Sequence, residues 1–146
     1  MNQHRHAAGR HRDFVETPDG GYATSEVGLA VLENPLLNKD TAFSPEERAS
    51  LALDGLIPPV VETLEEQAGR AYAQYGHQPT DLAKNVFLSA LQDCNEVLFY
   101  RLLGDHLREM LPIVYDPTVA QAIKSYSREY RRPRGVYRDV GQCSRL

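Results

Sequence analysis

Residues 93–111 read DCNEVLFYRLLGDHLREML, and the spacing of their apolar side chains decides the fold class. Leu98, Phe99, Leu102, Leu103, Leu107, Met110 and Leu111 recur at intervals of three and four, which places them on one stripe of a helix. Asp93-Cys94-Asn95-Glu96 offers a capping box at the start of that stripe, unless the helix continues from the one before. Pro112 is expected to end it, leaving Ile113-Val114-Tyr115 as a short extended segment.

Outward from this stretch, helices alternate with well-marked punctuation. Ser44-Pro45-Glu46-Glu47 supplies a Ser N-cap, Pro at the first helical position and Glu at the third, predicting a helix that runs to Asp54 and stops at Gly55. Thr63-Leu64-Glu65-Glu66 repeats the box for a helix from Leu64 to Gly76. Thr80 caps a further helix from Asp81, with Leu82, Val86, Leu88, Ala90 and Leu91 apolar. Asp116-Pro117 opens a last helix reaching about Tyr130. The reading is mostly α, with about five helices and no convincing long strand. Residues 1–24 lack an apolar period and read as a flexible polar leader; its His4, His6 and His11 have nothing to fix a metal geometry.

Composition narrows the function. The chain has 146 residues, one domain's worth, and is long enough to bury a core without disulfides. It is 42% hydrophobic and 25% charged, with 16 Lys and Arg against 20 Asp and Glu for a net charge of −4. That balance fits neither a disordered chain nor a strongly basic nucleic-acid binder. No apolar run reaches the roughly 18 residues of a membrane span, and no secretory signal opens the sequence. The two cysteines, Cys94 and Cys143, suit a reducing, cytoplasmic setting.

Generic catalytic patterns are sparse. Gly20-Gly21 stands alone, without the spacing of a phosphate-binding loop. No Cys or His spacing suits zinc, and Cys94 reads as a buried structural thiol. His106 reads as an exposed or packed helix residue, and Glu65-Glu66 as a pair favouring a helix N-terminus. Arg128, Arg131, Arg132, Arg134 and Arg138, interleaved with Tyr126, Tyr130 and Tyr137, form a local basic run. It suits a solvated helix end, an anion or subunit contact, or, least of all, nucleic acid. Tyr115, between an apolar segment and a Pro-opened helix, is the best single candidate for chemistry. A phenol, with pKa about 10 when free, acts as a general acid when neighbouring cations favour proton release; a packed structural tyrosine is the alternative.

Five segments together resemble the malic enzymes. Leu36 to Ser44 with Glu46-Glu47-Arg48 is similar to that family's LLNKGTAF…ER opening, and Gly55 to Gln67 to its GLLPP…ETLEEQ stretch. Leu91 to Leu103, Glu109 to Val119 and Tyr130 to Tyr137 resemble LQDxNExLFYRLL, EMLPIVYTPTV and YRRPRGLY. The likeness spans residues 28–137, in order and at family spacing. It implies a helical malic enzyme N-terminal domain over 25–137, truncated before the Rossmann domain, with a divergent tail over 138–146.

The resemblance implies further expectations. Malic enzymes oxidise L-malate with NAD or NADP and Mg or Mn, releasing pyruvate and CO2, and Tyr115 falls on the family's general-acid tyrosine, which protonates the enolpyruvate intermediate. The family's general-base lysine and metal ligands lie further on, so this stretch by itself is expected to bind no cofactor and to be inactive. The expected partner is a second copy or a full-length malic enzyme subunit, not nucleic acid or membrane. A non-catalytic helical oligomerisation module derived from such an enzyme is the alternative. Some animal members bind fumarate at a dimer interface through two arginines; Arg70 matches the first, while Cys94 stands at the second and offers no cationic fork. Asp40 replaces a family Gly, a strained substitution if φ is positive there. Asp116 replaces a Thr beside the tyrosine, where its charge repels malate, and Ala120 replaces a Gly.

Overall fold

A computed structural model describes residues 14–18 and 20–124. The expected metal-poor leader over residues 1–13, the basic Arg/Tyr run, Cys143 and the extension of the last helix to Tyr130 lie outside the described residues. Within them the chain is mostly helical, as the periodicity predicts. A hairpin of β1 (Phe14–Glu16) and β2 (Tyr22–Thr24) precedes α1 (Leu29–Leu32), a 3-10 turn at Asp40–Ala42, and α2 (Pro45–Ser50). There follow α3 (Leu64–Gly76), α4 (Asp81–Cys94), α5 (Glu96–Asp105), α6 (Leu107–Val114) and α7 (Thr118–Lys124). That makes seven α-helices among the described residues, against the five expected.

Three of the predicted starts are built as read. Ser44 and Thr63 form full capping boxes with Glu47 and Glu66, and the Thr80 hydroxyl accepts from the Ala83 N–H. The differences have local causes. α2 stops at Ser50, not Asp54, because Ala52 turns into the left-handed region at φ 53°. The Leu53 N–H then reaches the Arg48 carbonyl at 2.8 Å and the Ala52 N–H the Ala49 carbonyl, a Schellman closure that drops Leu53 into the core at 0% exposure. Residues 14–24 are not all leader: Phe14 faces Thr24 across an antiparallel pair, and Gly20 at φ 83° makes the turn.

The long fourth helix is divided. Asn95, not Asp93, is the cap of α5; its side chain accepts from the Leu98 N–H at 3.0 Å, while its own N–H ends α4 on the Leu91 carbonyl. The second break falls at His106, not Pro112. Pro112 lies inside α6, and the Arg108 carbonyl it leaves without a donor belongs to an exposed residue. Ile113 and Val114 are therefore helical rather than extended.

Two apolar clusters make the core. Ala71, Tyr75, Leu88, Phe99, Leu102, Met110 and Ile113 join α3 to α6, and Val31, Leu37, Phe43 and Leu53 gather the N-terminal segments. A polar seam links them. Gln67 of α3 donates from Nε2 to the Lys39 carbonyl and to Thr41 Oγ1, and Asn38 Nδ2 donates to the Leu32 and Cys94 carbonyls.

Arg48 anchors that seam. It is 6% exposed and has no carboxylate partner among the described residues; instead Nε donates to the Phe43 carbonyl, Nη1 to Pro58, and Nη2 to Thr41 and Val60. The fork thereby binds the extended 58–62 segment against the 3-10 turn. Arg48→Met is expected to lower stability by at least about 3 kcal/mol, because four backbone carbonyls lose a charged donor. Arg48→Lys should recover only part, since an ammonium lacks the fork; urea unfolding midpoints measure both.

Tyr75 gives a second expectation. It is fully buried, its hydroxyl has no hydrogen-bond partner among the described residues, and Lys84 Nζ lies 4.8 Å from its ring centre. Burial, with the Glu109 charge next in effect, pushes its phenol up to about 12. A phenol raised in the folded state stabilises fully below its unfolded value near 10 and loses that contribution as pH rises towards about 12. The fold should therefore lose on the order of 2 kcal/mol across that alkaline window. Tyr75→Phe should flatten the profile and be at least as stable at pH 7, as thermal unfolding against pH would report.

Candidate functional site

The α6–α7 junction positions Tyr115. Tyr115 is the C-cap of α6: its N–H donates to the Leu111 carbonyl at 3.0 Å, and its carbonyl accepts from the Val119 N–H at 2.8 Å. Bonded on both sides, the backbone is held while the side chain stands out, 68% exposed. Leu111 and Leu107, one and two turns earlier on the same helix face, are half exposed, and Ile123 of α7 is exposed. Asp116 and Pro117 are exposed beside the tyrosine, and Thr118 turns inward at 3% exposure.

Both ends of α6 are tied to neighbouring helices. At its start, the His106 ring stacks on Tyr72 of α3 at 3.7 Å and 2°, and the Tyr72 hydroxyl donates to Glu109 Oε2 at 2.9 Å. That hydrogen bond to a carboxylate holds the Tyr72 phenol above its usual value. His106 is thus a packed junction residue, one of the two roles expected for it. At the other end, the buried Asn85 of α4 donates from Nδ2 to the Ile113 carbonyl at 2.8 Å. The sequence reading passed over Asn85. Its only signal there was a polar residue on the apolar face of α4.

Arg70 lies elsewhere, on the seam. Its Nη2 pairs with Glu62 Oε2 at 2.8 Å and Asp40 Oδ2 at 3.2 Å, with the guanidinium still part exposed. Glu62 also accepts from Thr41 Oγ1. Asp40 has φ 54°, the positive value that made a Gly the expected residue. The Asn38 amide stabilises that turn, accepting from the Asp40 N–H at 2.8 Å while donating to the Cys94 carbonyl at 3.1 Å. Arg70 and Cys94 are therefore connected through Asn38 and Asp40. Cys94 is exposed, which corrects its expected burial: it ends α4, and Asn95 takes the inward place at 3% exposure.

Among the described residues no hydrogen bond or ion pair joins Arg70 to Tyr115, and a cleft of about 660 Å³ lined by Tyr22, Leu37, Lys39, Phe43, Glu47 and Val97 includes neither. Among the described residues no three His, Cys, Asp or Glu side chains converge as metal ligands, and no helix is long and apolar enough to cross a membrane. Chemically, Tyr115 offers an exposed phenol on a backbone bonded on both sides, and Arg70 a guanidinium already paired with two carboxylates.

Comparison with known proteins adds the family. The family model described as malic enzyme, N-terminal domain, matches residues 92–146, so α5 to α7 fall within it together with the 138–146 segment set apart above. The chain is similar to NAD-dependent malic enzyme 3 of Bacillus subtilis (strain 168), 57% identical over 129 residues, which are 88% of this chain and 23% of that protein. It is 54% identical over 110 residues to the NAD-dependent malic enzyme of Acinetobacter baylyi, covering 75% of this chain and 19% of that one. The corresponding protein of Shewanella pealeana is 52% identical over 119 residues, 82% of this chain and 21% of its own. The chain thus spans about a fifth of the length of the curated relatives it matches.

Proposed function

The chain belongs to the malic enzyme family, matching its N-terminal region, and from that premise we propose that it forms part of an enzyme that oxidises L-malate with NAD and decarboxylates it to pyruvate and CO2. Its contribution is Tyr115, as the proton donor. The observation that carries this reading is the exposed phenol of Tyr115 on backbone bonded both to α6 and to α7. Loss of CO2 leaves an enolate whose methylene carbon needs a proton. The phenol O–H bond breaks, the new C–H bond completes the methyl group of pyruvate, and the electron pair stays on the phenolate oxygen.

The described residues do not fit a metal ion or a dinucleotide. They bring together no set of three metal-type side chains, and the sequence has no glycine-rich phosphate loop. We therefore assign NAD and Mg or Mn to parts of the enzyme outside the matched stretch, and the whole to the cytoplasm as a subunit of an oligomer. Arg70, the residue at the place of a family effector arginine, is held by Asp40 and Glu62 with a cysteine where a second arginine would stand. Dicarboxylate activation through it is accordingly lost.

A hybrid tests the assignment: the Bacillus relative with its matching segment replaced by this chain, assayed for pyruvate with malate, NAD and Mn. The hybrid should turn over, and Tyr115→Phe should cut kcat by at least about 100-fold. Asp116→Thr should lower KM for malate by removing a carboxylate beside the phenol. Full pyruvate release by the Tyr115→Phe hybrid would remove the tyrosine from the mechanism.

A further inference from the structure

Helix α6 has an electronic gap at its C-terminal end. In an α-helix the carbonyl of each residue accepts from the N–H four positions on, and for Ile113 that position is Pro117, which has no N–H. Ile113 is only 6% exposed, so water is a poor substitute for the missing donor. The donor comes from another helix. Asn85, 8% exposed on α4, places Nδ2 2.8 Å from that carbonyl.

We infer that Asn85 is a positioning residue for Tyr115, its side-chain amide replacing the N–H that Pro117 lacks. Tyr115 lies two residues beyond the bonded carbonyl and immediately before the Asp116-Pro117 step, where the chain leaves α6 for α7. Without the amide the Ile113 carbonyl turns to reach solvent, and the last turn of α6, whose Leu111 carbonyl accepts the Tyr115 N–H, turns with it. Two side-chain ties hold the start of the helix, the His106–Tyr72 stack and the Tyr72–Glu109 hydrogen bond, and at its end the Tyr115 carbonyl also accepts from the Val119 N–H of α7. Asn85 acts at the end that carries the phenol. A polar residue on the apolar face of α4, beside Leu88 of the core, is otherwise an expense for the fold.

The inference rests on the reading of Tyr115 as proton donor, but its test does not. The 146-residue chain is labelled on its tyrosines and studied by NMR as wild type, Asn85→Asp, Asn85→Ser and Asn85→Gln. In Asn85→Asp and Asn85→Ser the Tyr115 ring resonance should shift or broaden. The Tyr115 and Val119 amides should exchange with solvent at least about tenfold faster, while amides in the middle of α3 stay at the wild-type rate. Asn85→Gln, which keeps an amide donor, should restore at least part of both signals. A wild-type Tyr115 resonance and amide rate in the Asp and Ser variants would overturn the positioning role. So would loss of protection spread evenly over α3 to α6, which marks a core defect and no local one. Turnover surviving Tyr115→Phe in the hybrid would instead overturn the assignment of Tyr115 and leave the bond from Asn85 to Ile113 standing.

Discussion

A buried guanidinium satisfied by four backbone carbonyls is the constraint on which the N-terminal half depends. Burying a charge is costly unless its hydrogen bonds are met, and Arg48 meets the cost by drawing four backbone carbonyls from two separate segments around one planar fork. The consequences spread outward. With residues 58–62 bound against the 3-10 turn, Glu62 reaches Thr41 and Arg70, and Gln67 reaches Thr41 from α3. The two apolar clusters, which share no buried residue, are joined through this polar seam. Arg70 owes its place to it, and so does the ion pair that keeps its guanidinium occupied.

The C-terminal half follows a different logic, that of helix ends. Four successive helices pack Tyr75, Leu88, Phe99, Leu102 and Met110 into one cluster, and the chain must turn sharply between them. Turns leave backbone groups without helical partners, and side chains answer two such places: Asn95 caps α5, and Asn85 of α4 donates to the Ile113 carbonyl in the last turn of α6, while between α5 and α6 the His106 ring packs on Tyr72. Tyr115 sits at the last of these joints. An exposed phenol needs firm backbone if it is to meet a reacting carbon reproducibly, and the joint supplies that firmness from α4 and α7 together.

The starts of helices were legible because a capping box is a local contract between residues three apart. Ser44 with Glu47, Thr63 with Glu66, and the Thr80 cap need nothing from elsewhere in the fold. Ends and interruptions were read less well, for reasons that are not local. Ala52 adopts a positive φ without being Gly because Leu53 gains burial by it. Pro112 stays in a helix because the carbonyl it deprives lies on an exposed side. Asn95 displaces Asp93 as a cap because it serves two helices at once, and Cys94 is left outside as a result.

By itself, then, the sequence determined the helical class, the capped starts and the family resemblance on which the proposal for Tyr115 rests. Those follow from periodicity, short-range hydrogen bonding and motif order, all carried within a few residues of chain. Only the tertiary structure decided that Arg48 is a buried tie, that Arg70 is matched by Asp40 and Glu62, and that an asparagine thirty residues upstream serves the helix ending at Tyr115. Such pairings depend on which donors and acceptors the packed helices bring within about 3 Å, and no spacing along the chain encodes that distance.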